Sequence, residues 1–240
     1  ISITLGVITL IDILDAGQGS LFASTYTPWN NLVQPFVAGQ LVIDPSKVGW
    51  KPEVTILKAL LLGIPIYLFV GFGLYTGSQQ FHLDYNWQAA IAVGFAAGLF
   101  EEYFCRGLLL GLLLKAFSRH SKTSQIWLAV FVSSLLFGLS HVLNLTHQSM
   151  SDTILEIISA SVGGVFYGAV YLRTGTILMA MLVHGLWDFI VTLIVSGQIN
   201  TTQTAEGTAR SILLSLIVLL ISIFYLRKSK IRTIQLEKLT

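Results

Sequence analysis

The sequence predicts an all-α, polytopic transmembrane bundle of seven to eight helices. Composition is the first observation: hydrophobic residues make up 54% of the 240 residues, charged residues only 11%, and the mean hydropathy is +0.75. Soluble domains carry about a quarter charged residues, so water is not the main solvent of this chain. The second observation is a series of bilayer-length apolar runs, and the third is the collection of Lys and Arg in alternate connections.

Six segments contain the roughly 20 apolar residues that a helix needs to cross a bilayer core. They are Val54–Tyr75, Trp87–Lys115, Trp127–His147, Ile154–Leu172, Thr176–Ser196 and Ser211–Leu226. Two earlier segments are less regular, because Ile1–Leu14 is short and Leu21–Ile43 is interrupted by prolines and asparagines. We therefore divide the chain into N-terminal apolar segments at 1–52 (one or two imperfect spans), a transmembrane bundle at 53–226, and a basic, solvated tail at 227–240.

The basic residues favour one orientation of these spans. With the C-terminal tail placed in the cytoplasm, alternation of the six spans puts 12 of the 14 Lys and Arg residues on that side, and leaves only Arg106 and Arg210 elsewhere. An excess of Lys and Arg in cytoplasmic loops is typical of membrane proteins. We expect an integral membrane protein of a bacterial inner membrane, with its C-terminus in the cytoplasm.

Charged residues inside one span mark the first part of a candidate site. Glu101, Glu102 and Arg106 lie near the middle of Trp87–Lys115, where each charge costs about 2.5–3.5 kcal/mol on insertion scales. Glu102 and Arg106 are four residues apart, so helical geometry predicts an ion pair between them. Glu101 lies about 100° round the helix from Glu102, and we expect it to face a cavity.

Two further spans carry polar residues at helical spacing. His141 stands four residues after Phe137, and His184 stands four residues before Asp188, so the members of each pair share a helix face. With a rise of about 1.5 Å per residue, Glu101, His141 and His184 all lie roughly 12–20 Å from the inner ends of their helices. The three helices could therefore bring these side chains into one site within the membrane.

These residue types allow three kinds of function. A carboxylate beside an imidazole can deprotonate water, and a second His can stabilise an oxyanion, so the set suits hydrolysis of an amide. Glu101, His141 and His184 are also accepted zinc ligands and would suit a zinc-dependent membrane peptidase. The third possibility is a non-catalytic immunity or scaffold protein, or a transporter that relays protons through buried acids.

Three motifs, taken together, resemble those of a known family of membrane enzymes. They are Glu101-Glu102-x-x-x-Arg106, Phe137-x-x-x-His141 and His184-x-x-x-Asp188. Their order, internal spacing and placement on successive helices are similar to those of the CPBP family, the CAAX-prenyl-protease and bacteriocin-processing enzymes that are also called Abi proteins. The resemblance covers Glu101–Asp188 and implies an intramembrane glutamic endopeptidase that acts without a metal or other cofactor.

The resemblance also implies a role for each residue. Glu101 and His141 would activate water, and His184 with Asp188 would stabilise the oxyanion. Glu102 and Arg106 would be supporting residues. The third motif often ends in Asn in the family, and an ionised Asp188 would repel an oxyanion, so Asp188 must be protonated, orient His184 or serve another role.

The resemblance further implies which partners to expect. They are the lipid bilayer and a prenylated or membrane-associated peptide or protein, which would be the substrate. No nucleic acid is expected. The sequence leaves the oligomeric state open.

Overall fold

The computed structural model describes residues 48–78, 85–146, 148–196 and 205–239, and the described parts of the six predicted spans are mainly helical. No β-strand occurs within these ranges, which confirms the all-α fold class. Most of the N-terminal region at 1–52 lies outside the described residues. Its one or two imperfect spans therefore stay a prediction.

The helices follow one another with short connections. They are α1 (Ile56–Leu61), α2 (Ile64–Ser78), α3 (Trp87–Ala96), α4 (Leu110–Ala116), α5 (Lys122–Ser140), α6 (Met150–Thr174), α7 (Ile177–Ser196), α8 (Ala205–Tyr225) and α9 (Lys228–Ile231). Two π-helical segments, Ala97–Glu101 and Tyr103–Leu109, link α3 to α4. Single 3₁₀ segments follow α5 at His141–Thr146 and close the tail at Leu236–Lys238.

Length and composition allow several of these helices to cross a bilayer. Four described segments are long and apolar enough: Lys122–Thr146, Met150–Thr174, Ile177–Ile194 and Gly207–Tyr225. Their outer faces expose large apolar side chains such as Phe131, Ile158 and Leu220, which are 60%, 52% and 66% exposed. Extended apolar surface of this kind is unfavourable in water and suits contact with lipid.

Polar side chains set where several helices begin. Ser121 accepts a hydrogen bond from the backbone N–H of Ser124 at the start of α5, and Ser149 accepts one from Asp152 at the start of α6. Serine at this position satisfies an N–H that the helix itself leaves unpaired. At the other end of α6, Gly175 has a φ of 72°, the left-handed conformation that glycine adopts most readily. α7 then begins two residues later.

Glycines bring α7 unusually close to α3 and the first π-helical segment. A Cβ atom on Gly94 would lie 2.5 Å from the carbonyl oxygen of Gly185, and one on Gly98 would lie 2.6 Å from that of Met181. Small residues allow such close backbone approach between membrane helices. The crossing places the residues that follow Gly98 directly beside the middle of α7.

The C-terminal tail folds back onto the bundle. Its apolar residues Ile231, Ile234 and Leu239 are 1%, 5% and 4% exposed, so the expectation of a solvated tail is wrong for them. Polar contacts hold the same segment: Lys238 forms an ion pair with Glu53 at 2.8 Å, and Lys122 donates to the carbonyl oxygen of Arg232 at 3.2 Å. The tail therefore meets the segment before α1 and the start of α5 at one end of the bundle.

Replacing Gly94 with Ala tests the importance of the close helix crossing. We expect Gly94→Ala to lower the free energy of unfolding by about 1–3 kcal/mol, because the added methyl group meets backbone that cannot move aside. Gly71→Ala is the matched control, since a Cβ there has no heavy atom within 4 Å. Unfolding of the two variants in detergent micelles measures the difference, and equal stabilities would contradict the role assigned to the crossing.

Candidate active site

The first motif lies in the π-helical part of the chain. Glu101 ends the first π-helical segment, and Tyr103–Leu109, which includes Arg106, forms the second. π-Helical turns inside α-helices are frequent at functional sites, because they change the direction in which side chains project. Both neighbouring carboxylates, Glu101 and Glu102, approach the same imidazole here, which an undistorted α-helix with about 100° between successive residues does not favour.

Glu102 is the central residue of the cluster. Its Oε1 atom accepts hydrogen bonds from Arg106 Nη1 and from His184 Nδ1, both at 2.7 Å. Glu102, Arg106 and His184 are only 0%, 1% and 3% exposed. The predicted ion pair between Glu102 and Arg106 is confirmed, and because a carboxylate oxygen accepts, the proton of the shared contact belongs to Nδ1 of His184.

The other ring nitrogen of His184 faces two more carboxylates. Nε2 lies 3.8 Å from Glu101 Oε2 and 3.6 Å from Asp188 Oδ2. These distances fall in the range of ion pairs and exceed those of direct hydrogen bonds. Glu101 Oε2 is buried and accepts no hydrogen bond from any group in the described part of the chain.

Aromatic rings enclose this charged cluster. The Tyr167 ring stacks on His184 with centroids 4.4 Å apart and an interplanar angle of 19°, while Phe137 meets His184 edge-on at 5.6 Å. The Arg106 guanidinium lies 4.8 Å from the centroid of the Phe137 ring and 5.3 Å from that of Tyr167. A cation over an aromatic face gains more stabilisation in a buried site than at the surface.

His141 lies at the end of α5 and is linked to the cluster through Phe137. Its Nδ1 is 3.0 Å from the carbonyl oxygen of Phe137, which can only accept, so Nδ1 donates and Nε2 keeps a free lone pair. The His141 ring also packs edge-on against the Phe137 ring at 5.1 Å. No hydrogen bond or ion pair joins His141 to Glu101 within the described residues, so the convergence predicted for these two side chains is not a direct contact.

A cavity of about 350 Å³ adjoins the cluster. His141, His184 and Asp188 line it, together with apolar side chains of α2, α6, α7 and α8. Five of the six predicted site residues are connected by these contacts: Glu101, Glu102, Arg106, His184 and Asp188. The sixth, His141, lines the same cavity as His184 and Asp188.

Two residues of this site were not predicted. Glu156 lines the cavity, and both of its carboxylate oxygens accept hydrogen bonds from the Asn144 side chain at 2.9 Å. A charged residue inside the predicted span Ile154–Leu172 is the same signal that identified Glu101, so the sequence could have revealed it. Tyr167 carried no such signal, because an aromatic residue is ordinary in an apolar helix.

The arrangement of acidic and imidazole groups also bears on metal binding. Among the residues that the structure describes, no group of three or more His, Cys, Asp or Glu side chains is arranged to hold a metal ion. His184 already uses Nδ1 in the hydrogen bond to Glu102. The zinc set of Glu101, His141 and His184 is thus not assembled around a common point.

The fold and the buried cluster define a polytopic membrane protein with a polar site inside its helical bundle. Residues 83–190 match the family model described as type II CAAX prenyl endopeptidase Rce1-like. This region is therefore similar to that family, and the resemblance predicted from the three motifs is confirmed. Comparison with curated proteins and with solved structures gave no match.

The apolar helices and this match together indicate an integral membrane protein of the protease type. Such an enzyme acts on a peptide substrate at the bilayer. The match spans all three motifs, from Glu101 to Asp188.

The contacts of Glu102 predict different stabilities for two neighbouring variants. Glu102→Gln leaves Arg106 without its full counter-charge in an apolar interior, and we expect it to lower the free energy of unfolding by about 3 kcal/mol. Glu101→Gln should lower stability less, because Oε2 accepts no hydrogen bond from the described residues and lies 3.8 Å from His184 Nε2. Unfolding of both variants in the same detergent compares them, and a larger loss for Glu101→Gln would refute this assignment.

Proposed function

We propose that the protein is a metal-independent intramembrane endopeptidase that hydrolyses a peptide bond of a prenylated or membrane-associated peptide or protein. Glu101 and His141 activate the attacking water, and His184 stabilises the oxyanion. Glu102 and Arg106 position His184, and Asp188 orients it from the opposite side. The observation that carries this proposal is the buried Glu101 carboxylate beside an imidazole whose other nitrogen is already fixed.

Glu101 is the proposed general base. A buried carboxylate oxygen that accepts no hydrogen bond from nearby described side chains can accept one from water and then take its proton. The charge of Arg106 is already engaged by Glu102 at 2.7 Å, so it does not neutralise Glu101 by a direct contact. Two adjacent carboxylates thus have separate tasks, one structural and one chemical.

His141 is the proposed partner of Glu101 on the water. The hydrogen bond between Nδ1 and the Phe137 carbonyl fixes the ring, so Nε2 is the nitrogen available to accept from a water or a substrate group. Its position on the cavity wall with His184 and Asp188 supports attack on a bond held in that cavity. Catalytic hydrogen bonds often tighten only when substrate is bound, so the missing direct contact with Glu101 is compatible with this role.

His184 is the proposed oxyanion donor. Because Nδ1–H donates to Glu102, Nε2 is the atom that faces a substrate oxygen. With both ring nitrogens protonated, Nε2–H donates a hydrogen bond to the developing negative charge. Tyr167, stacked at 4.4 Å, prevents the ring from turning. Asp188, with Oδ2 at 3.6 Å from Nε2, contributes by orienting the imidazole rather than by binding the oxyanion itself.

The cavity supports a substrate that reaches the site from within the membrane. Apolar side chains of α2 and α8, including Ile66, Phe69, Leu214 and Val218, line it together with the polar residues. An apolar wall gains stability by burying the hydrocarbon part of a substrate. The polar groups of the lining would contact the peptide bond.

Substitution of the two proposed water-activating residues tests this function. We expect Glu101→Gln and His141→Ala each to reduce cleavage at least about a hundredfold, the range typical of lost general base catalysis. Because the substrate is unidentified, membranes containing wild type or Glu101→Gln are compared by proteomics, and a peptide whose cleavage depends on Glu101 then serves as the reporter.

Controls separate this mechanism from its alternatives. Cys105→Ala should cleave the reporter normally, because the buried thiol has no part in the proposed reaction. Full activity of the wild type in a strong chelator excludes the zinc-dependent peptidase. Undiminished cleavage by both Glu101→Gln and His141→Ala would show that the assignment is wrong, and a cellular phenotype that survives Glu101→Gln, with no cleavage found, would favour a non-catalytic role.

A further inference from the structure

A second cavity lies at the end of the bundle where α6 stops. Its volume is about 230 Å³, and it shares no lining residue with the cavity beside His184. Three cationic side chains line it: Lys58 from α1, Arg173 from the last turn of α6, and Lys230 from α9. They come from three separate parts of the sequence, so the fold itself assembles the positive charge.

The charges around this cavity are not balanced by the described residues. Glu53 is the only carboxylate among the described residues that line it, and Glu53 is engaged by Lys238 at 2.8 Å. Arg227 adds a further cation within electrostatic range of Arg173. Like charges gathered in a partly enclosed space repel one another, so the arrangement is favourable when an anion enters.

Arg173 provides independent evidence that an anion fits there. Its Nε and Nη1 atoms are buried, and neither donates a hydrogen bond to any described group. A buried donor without a partner costs free energy that an incoming acceptor recovers. The planar guanidinium matches the oxygens of a phosphate in a bidentate geometry, and lysines beside it add charge.

The depth of the cavity points to the source of the anion. α6 has 25 residues, which corresponds to about 37 Å of helix and exceeds a bilayer core of about 30 Å. Arg173, in its last turn, therefore lies at the level of the lipid headgroups. Lys58 follows the start of α1 and Lys230 follows the end of α8, so all three cations stand at helix ends on the predicted cytoplasmic side.

We propose that this cavity binds the phosphate group of an anionic phospholipid headgroup. The guanidinium of Arg173 contacts the phosphate oxygens, and Lys58 and Lys230 hold its negative charge. Glu53 opposes binding, and its ion pair with Lys238 weakens that opposition. The site is independent of the proposed peptidase chemistry.

A pair of charge-matched double variants tests the site. The full-length protein is purified in a neutral detergent, and binding of phosphatidylglycerol is measured by native mass spectrometry and by the shift in unfolding temperature. We expect Lys58→Gln/Lys230→Gln to weaken binding about tenfold or more. The control Lys51→Gln/Lys228→Gln removes the same charge from exposed positions that do not line the cavity, and should change binding less than about threefold.

A variant that is expected to bind lipid more tightly tests whether weaker binding in the other variants results from misfolding. Glu53→Gln removes the opposing carboxylate and should bind phosphatidylglycerol more tightly than the wild type. Phosphatidylcholine, whose choline offsets the phosphate charge, should bind to every variant more weakly than phosphatidylglycerol does. Equal losses in the two double variants, or no loss in either, would overturn the proposal.

Inorganic phosphate distinguishes the two possible sources of the anion. If millimolar phosphate competes with phosphatidylglycerol in the wild type, and the Lys58→Gln/Lys230→Gln variant no longer responds to it, both ligands use the proposed phosphate site. If phosphate stabilises the protein while phosphatidylglycerol does not bind, the lipid assignment is wrong.

Discussion

The structure of the site depends on one carboxylate oxygen in the interior of the bundle. Glu102 Oε1 accepts from both Arg106 and His184 at 2.7 Å, and all three residues are almost fully buried. A charge in such a place is tolerated only when it is paired and hydrogen-bonded. The hydrogen bond between Glu102 and His184 stabilises the buried carboxylate and also fixes the orientation of the imidazole. As a result, His184 Nε2 points toward Glu101 and Asp188.

Close packing of α3 and its π-helical extension against α7 makes that contact possible. Glycines at 94, 98 and 185 let α3 and its π-helical extension approach α7 at backbone distance. The π-helical turns then place Glu101 and Glu102 at opposite nitrogens of one imidazole. Phe137 from α5 and Tyr167 from α6 cover the remaining faces, so four helical segments contribute to holding a single ring.

Much of this arrangement follows from the sequence. Apolar length located the helical segments, four of which are long and apolar enough to cross a bilayer. The spacing of four between Glu102 and Arg106 predicted their ion pair, because it places both side chains on one helix face. The three motifs also predicted the family of the region 83–190. The spans and the ion pair depend on local helix geometry, which can be read from the sequence itself, whereas the family was predicted from the resemblance of the motifs.

Other features could not be recognised from the residue pattern of a single sequence. The π-helical segments Ala97–Glu101 and Tyr103–Leu109 have no residue pattern that distinguishes them from α-helix, so the sequence does not predict the change. The tail looked solvated because basic residues dominate it, yet Ile231, Ile234 and Leu239 are enough to fold it back.

The tautomer of His184 is the most direct measure of the central claim. ¹⁵N NMR of protein labelled at the histidine nitrogens reports it, with the His184 signals assigned by their loss in His184→Gln. The account predicts a protonated, hydrogen-bonded Nδ1 whose signal changes in Glu102→Gln, while the His141 signals stay in place. An unprotonated Nδ1 in His184, or a His184 signal that does not change in Glu102→Gln, would contradict it.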